Sequence, residues 1–230
     1  MEQSDFERYV NQYMQGYSQD CRSTSFDICY GYFQTHKGEV LKNDIERACL
    51  VLWSYLASYG MLRASNKVVL YKNPFYLKGL IEYIADNDLS DIDVSDYDNN
   101  NRLGEIISAY KSISKQLCFK YGGKEFNPSI TFVTKVMLGV YSCVPAFDTY
   151  FCKFLRSDLG INHINIWESL PRIKEYFNNI EKLDKKTFCY GTTNNVSLPV
   201  KFARQIDMYG WEKGKEKLEG DKEKKIMPTP

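Results

Sequence analysis

Apolar residues recur at helical spacing along almost the whole chain, and this period sets the fold class. Between 41 and 59, Leu41, Ile45, Ala48, Leu52, Leu56 and Tyr59 fall on one stripe. Leu50, Trp53 and Ala57 make the other side apolar too, so a central helix buried all round is expected there. Asn43 followed by Glu46 has capping-box spacing, and Gly60 is a stop. Asn73-Pro74 reads as a cap and first-turn proline for PFYLKGLIEYIA. The pattern returns with Ile106, Ile107, Tyr110, Ile113 and Leu117. Ser129 then caps ITFVTKVMLGVY. AFDTYFCKFLRSDLG carries Phe147, Phe151, Phe154 and Leu155 and ends at Gly160. INIWESLPRIKEYFNNIEKL is expected to be helical on both sides of Pro171, FCYGTTNNVSLP to be an extended loop, and PVKFARQIDMYGWEKG to be the last helix. No strand ladder is legible. The expectation is an all-α protein of two helical lobes with a cleft between them.

Composition divides the chain. NDLSDIDVSDYDNNNR, residues 87–102, is acidic and polar, and separates an N-terminal lobe (1–86) from a second lobe (103–211). The stretch 212–230 alternates charges without apolar anchors and is expected to be a flexible tail. Net charge is +1, but Asp86, Asp88, Asp91, Asp93, Asp96 and Asp98 crowd one short segment, while Lys111, Lys115, Lys120, Lys124 and Lys135 follow it. Outside the acidic loop the chain is basic, as a nucleic-acid partner requires; a solvated loop beside ordinary surface lysines fits the same distribution.

Several classes are disfavoured. Seven cysteines, an odd number with no CxxC pair, argue against a disulfide framework and against zinc or iron–sulfur sites. His36 and His163 have no ligand-spaced partner, and no GxxxxGKS, GxGxxG or HExxH occurs. The first residues resemble no signal peptide and no apolar run spans a bilayer. A cytoplasmic monomer with no membrane contact, metal or cofactor is expected. The 18 tyrosines and 13 phenylalanines suit either an aromatic core or a cleft.

VPAFDTYF, residues 144–151, puts an acid among aromatics. Asp148 can be a first-turn acid stabilised by amides and the helix dipole. Flanked by Phe147, Tyr150 and Phe151, it can also be a partly desolvated carboxylate poised to stabilise a cation or activate water. SYGMLRASN, at the break after the central helix, offers Tyr59, Met61, Arg63, Ser65 and Asn66 to a cleft; a helix stop, a cap and a surface arginine describe it equally well. Trp53 reads as core, and Trp211 as the docking point of the last helix rather than a pocket wall.

TKVMLGVYSCVPAFDTYFCKFL resembles the catalytic-aspartate region of helix-hairpin-helix DNA glycosylases. Val144, Pro145, Asp148 and Thr149 match that family's turn with one extra residue, and Phe151 and Leu155 match the buried face of the next helix. Tyr150 stands where the family often has His. The resemblance implies an enzyme that flips a damaged or modified base from double-stranded DNA into an aromatic pocket. Asp148 would serve the cleavage of the N-glycosidic bond, and Phe147 and Tyr150 would join Tyr59, Met61, Arg63, Ser65 and Asn66 around the base. The family's L-P-G-V-G-like phosphate-binding turn is absent. Gly122-Gly123 in KYGGKEF is the substitute, with Lys124, Ser129 and Lys135 as further DNA contacts. The iron–sulfur loop of some members is missing. Where bifunctional members carry a lysine nucleophile, this chain has Ser129 and Ile130, and Lys135 lies further along the helix, so a monofunctional glycosylase is implied. Hypermodified phage DNA is one possible substrate. The alternative is a non-catalytic helical module that binds nucleic acid or protein, with Asp148 as a capping acid.

Overall fold

The computed structural model describes residues 1–18, 20–62, 68–188 and 197–226. They form an all-α protein with two short two-stranded antiparallel sheets. The helices run α1 (Gln3–Gln15), α2 (Thr24–Thr35), α3 (Glu39–Asn43), α4 (Ile45–Ser58), α5 (Val68–Tyr71), α6 (Lys78–Asp86) and α7 (Asn100–Leu117). After these come α8 (Ile130–Tyr141), α9 (Thr149–Asp158), α10 (Ile166–Tyr176) and α11 (Phe202–Ile226). Strands β1 (Phe119–Tyr121) and β2 (Lys124–Phe126) pair antiparallel between α7 and α8, and β3 (Lys186–Phe188) pairs with β4 (Ser197–Pro199). No helix among the described residues is long and apolar enough to cross a membrane.

The buried-all-round helix is α8, not the 41–59 segment. Every residue from Phe132 to Tyr141 is buried, whereas α4 leaves Leu50 49% exposed and Ala57 in solvent. The 41–59 helix is broken at Asp44, whose carboxylate accepts the Tyr32 hydroxyl at 3.0 Å. With Asp44 in the N-cap position and its side chain engaged elsewhere, the Asn43–Glu46 capping box does not form. Asn73 does accept the Phe75 N–H, but it starts a 3₁₀ turn at Pro74–Leu77 that leads into α6. Ser129 caps α8, Gly160 takes the left-handed conformation beyond α9, and Pro171 lies inside α10.

The acidic stretch 87–102 is anchored at both ends of its chemistry. Leu89, Ile92, Val94 and Tyr97 are buried. Asp88, Asp91 and Asp98 pair with Lys37, Arg102 and Lys174. Asp93 accepts the N–H groups of Phe202 and Ala203 and so caps α11. One continuous set of buried side chains runs from α1 to α11.

Helix α11 continues through 212 to Ile226, beyond the boundary expected at 211. Its polar half is held by partners on α1 and α9 rather than by an apolar stripe. Gln12 donates to Glu212, Tyr9 to Glu216, and Lys153 and Asp158 pair with Asp221 and Lys217. Close approach of α9 and α11 depends on two glycines one turn apart. A β-carbon on Gly210 would press on the Phe151 ring, and one on Gly214 would overlap the Tyr150 carbonyl oxygen. Gly214→Ala is therefore expected to destabilise by about 2 kcal/mol from overpacking, despite about 1 kcal/mol of added helix propensity. That lowers Tm by roughly 4–8 °C. Gly220→Ala on the same helix meets nothing within 4 Å and is expected to hold or raise Tm, so paired thermal melts check the claim.

Candidate active site

The site is built on the link between α8 and α9. Ser142 ends α8 in the left-handed conformation, φ 52°, with its N–H shared by the Met137 and Leu138 carbonyls. Residues 143–147 are buried, and their backbone is pinned by three other elements. Tyr97 donates to the Cys143 carbonyl at 2.8 Å. Asp207 of α11 accepts the Ala146 N–H at 2.9 Å. Thr134 Oγ1 accepts the Phe147 N–H at 2.9 Å, and Thr131 donates to the Phe147 carbonyl at 2.7 Å. Satisfied at each of these points, the turn delivers Asp148 in a fixed position.

Asp148 is the N-cap of α9. Its Oδ1 accepts the N–H groups of Tyr150 and Phe151 at 3.1 and 3.0 Å. Its Oδ2 faces Lys135 Nζ at 3.2 Å; the carboxylate is 17% exposed and the lysine 3%. The ammonium also lies 4.5 Å from the centroid of the Tyr59 ring. Both groups open onto a pocket of about 550 Å³, large enough for a nucleobase. Tyr59, Met61, Tyr150 and Trp211 give it aromatic and thioether walls, with Arg22, Ser129 and Thr131 around them. Trp211 meets Tyr150 edge to face, with centroids 4.9 Å apart.

Behind Tyr59 sits a fully buried arginine. Arg204 donates to Asp207 Oδ2 at 2.5 Å and to the hydroxyls of Tyr13, Tyr17 and Tyr59 at 3.2, 3.3 and 3.4 Å. Its guanidinium lies 4.2 Å from the Phe26 ring centroid. Asp27 shares this interior, with no hydrogen-bond partner for Oδ2 among the described residues. Burial pushes the Asp27 carboxyl up to about 7, against the pull of Arg204. Through Tyr59 on one side and Asp207 on the other, the arginine ties a pocket wall to the turn that presents Asp148.

The residues expected from sequence separate into three groups. Asp148, Tyr59, Met61, Tyr150, Ser129 and Lys135 are brought together in the pocket. Phe147 is not: its ring is fully buried against Phe151, and only its backbone serves the site. Lys135 does reach the cleft, and as the buried partner of Asp148 it is not placed for a phosphate contact. Gly122, Gly123 and Lys124 form the exposed tip of the β1–β2 hairpin, both glycines with positive φ. Arg63, Ser65 and Asn66 lie outside the described residues. Trp211, expected to dock the last helix, is also a pocket wall. Arg22, Thr131 and the Arg204 network were not anticipated. The i,i+3 spacing of Arg204 and Asp207 was the one legible signal for that network.

No family model, curated protein or solved structure matches the chain. The geometry by itself offers an oriented carboxylate, a buried amine and aromatic walls in one nucleobase-sized cavity.

Proposed function

We propose that the protein is a DNA glycosylase, with Asp148 as the catalytic carboxylate. The observation that carries this reading is the position of Asp148: one oxygen held by two helix amides, the other turned toward Lys135, at an aromatic pocket. Such a carboxylate stabilises the positive charge that builds on the sugar as the N-glycosidic bond breaks, and accepts a proton from the water that adds there. Tyr59, Tyr150 and Trp211 offer faces and edges for a flipped base. The two-lobed, helix-hairpin-helix-like arrangement belongs to the same proposal, with the β1–β2 hairpin standing where that family has a helical hairpin. Duplex DNA carrying a damaged or hypermodified base is the substrate class.

The test is abasic-site formation on duplexes carrying a panel of damaged bases and on glucosylated phage DNA, read with an aldehyde-reactive probe. Sites on at least one substrate are expected. None on any substrate, with DNA binding intact, would leave a non-catalytic binding module. A second reading is favoured by Lys135 itself: once its proton passes to Asp148 at 3.2 Å, the free amine can attack the sugar C1′ as the base leaves, and the imine that follows allows β-elimination to cut the strand. Borohydride would then trap a protein–DNA adduct that Lys135→Met loses; a simple hydrolase gives no adduct.

A further inference from the structure

Part of the molecule's positive charge is neutralised in ion pairs. Lys37, Lys42, Lys153, Lys174 and Lys217 each meet a carboxylate. Other cations have no such partner among the described residues, and six of these, all lysines, lie in three segments that pack together. Lys72 and Lys78 flank the 3₁₀ turn before α6, Lys111 and Lys115 lie on the last turns of α7, and Lys120 and Lys124 lie on the β1–β2 hairpin. These six make none of the ion pairs found among the described residues. Across residues 71–78 and 111–126 the only acid is Glu125, opposite Lys120 in the hairpin register. The segments are packed together: Tyr76 donates to the Leu117 carbonyl, Lys72 lies over the Phe119 ring, and Gly79 abuts Gln116.

Exposed aromatic rings lie on this same surface. Tyr121 at the hairpin tip is 54% exposed and stacks on Tyr71 with centroids 3.8 Å apart; Phe75 is 49% exposed. A solvent-facing aromatic stack rimmed by lysines outside any ion pair matches a polyanion whose bases are free to stack; an acidic protein lacking rings would meet the lysines and leave the aromatic stack uncovered. The surface also adjoins the pocket. Three residues lead from Phe126 to Ser129, which caps α8 and lines the cavity, a reach of at most about 10 Å.

We infer that the β1–β2 hairpin, with Tyr71 and Phe75, is a stacking platform for an unpaired DNA strand next to the pocket. Only the choice of DNA as the polymer rests on the glycosylase reading. The platform holds bases through Tyr121 and Phe75 and backbone phosphates through Lys120 and Lys124, so single-stranded or locally opened DNA is preferred over closed duplex.

The experiment is fluorescence anisotropy with a labelled, unmodified single strand, the same sequence as duplex, and its RNA counterpart. Wild type is expected to bind the single DNA strand more tightly than the duplex. Tyr121→Ala should weaken that binding about tenfold. Lys120→Gln with Lys124→Gln should flatten the slope of log K against log salt by about 1.4. Lys37→Gln with Lys153→Gln, from the paired set, should change neither, and thermal melts of each variant report whether the fold is intact. Unchanged affinity and slope in the hairpin variants, or tighter binding to duplex or RNA, would overturn the platform. Because these strands carry no base to excise, the outcome is independent of catalysis: an active enzyme whose hairpin variants bind normally sinks the platform alone, and an inactive protein whose variants lose binding sinks the glycosylase alone.

Discussion

Asp148→Asn is expected to lower abasic-site formation by roughly 10³-fold while substrate binding holds or tightens. The amide oxygen still caps α9, because Asn is as good an N-cap as Asp. What it cannot do is face Lys135 with a negative charge. The amide nitrogen would meet the ammonium donor to donor, and a lysine 3% exposed would lose its ionic partner. Fold stability should therefore fall as well, by roughly 2 kcal/mol for this partly exposed carboxylate. A capping acid with no catalytic role would show the same stability loss. The double variant Asp148→Asn/Lys135→Met separates the two. Removing the orphaned ammonium should restore most of the stability without restoring base release. Thermal melts and abasic-site counts on the single and double variants check it, and return of base release in the double variant would exclude Asp148 as the catalytic group.

The parts of this site that sequence disclosed were those governed by local rules. Ser129 and Asp148 are N-caps, and their residue types and positions before apolar runs made them visible. The Asp148 environment was legible as well, because Tyr150 and Phe151 follow it two and three residues on in the chain. Sequence spacing could not show where Lys135 points. It sits in the first half of a helix with every neighbouring position apolar or threonine, and only the return of the chain through Ser142–Phe147 brings Asp148 back over it. The helical period also overreached at α4. An apolar residue at each position of a helix signals burial only if something covers every side, and Leu50 is left 49% exposed. The charged end of α11 was misjudged for the converse reason. Its partners on α1 and α9 are polar and distant in sequence, so a stretch without apolar anchors still continues the helix.

Arg204→Met is expected to cost about 3–5 kcal/mol, since it leaves a buried acid unpaired, and to lower Tm by roughly 6–20 °C. Asp207 would keep only the Ala146 N–H on Oδ1, and three tyrosine hydroxyls would lose a donor. The loss should depend on pH through Asp27. Its carboxyl holds a proton up to about 7 in the folded state, because burial outweighs Arg204, whereas an unfolded aspartate releases it near 4. Between those values the folded chain binds more protons than the unfolded one, so this group makes stability fall as pH rises. Above about 7 the penalty is complete; below about 4 it vanishes. Asp27→Asn, with no proton to lose, is expected to be more stable than wild type near pH 8, with the gap closing toward pH 5. In Arg204→Met the attraction that lowers the Asp27 value is gone, so the decline should extend to higher pH than in wild type. Urea unfolding across this range reads both effects. A wild type and Asp27→Asn with parallel pH profiles would mean that Asp27 is ionised in the folded protein, and that the Arg204 interior is a closed ion-pair network rather than one holding an acid in its neutral form.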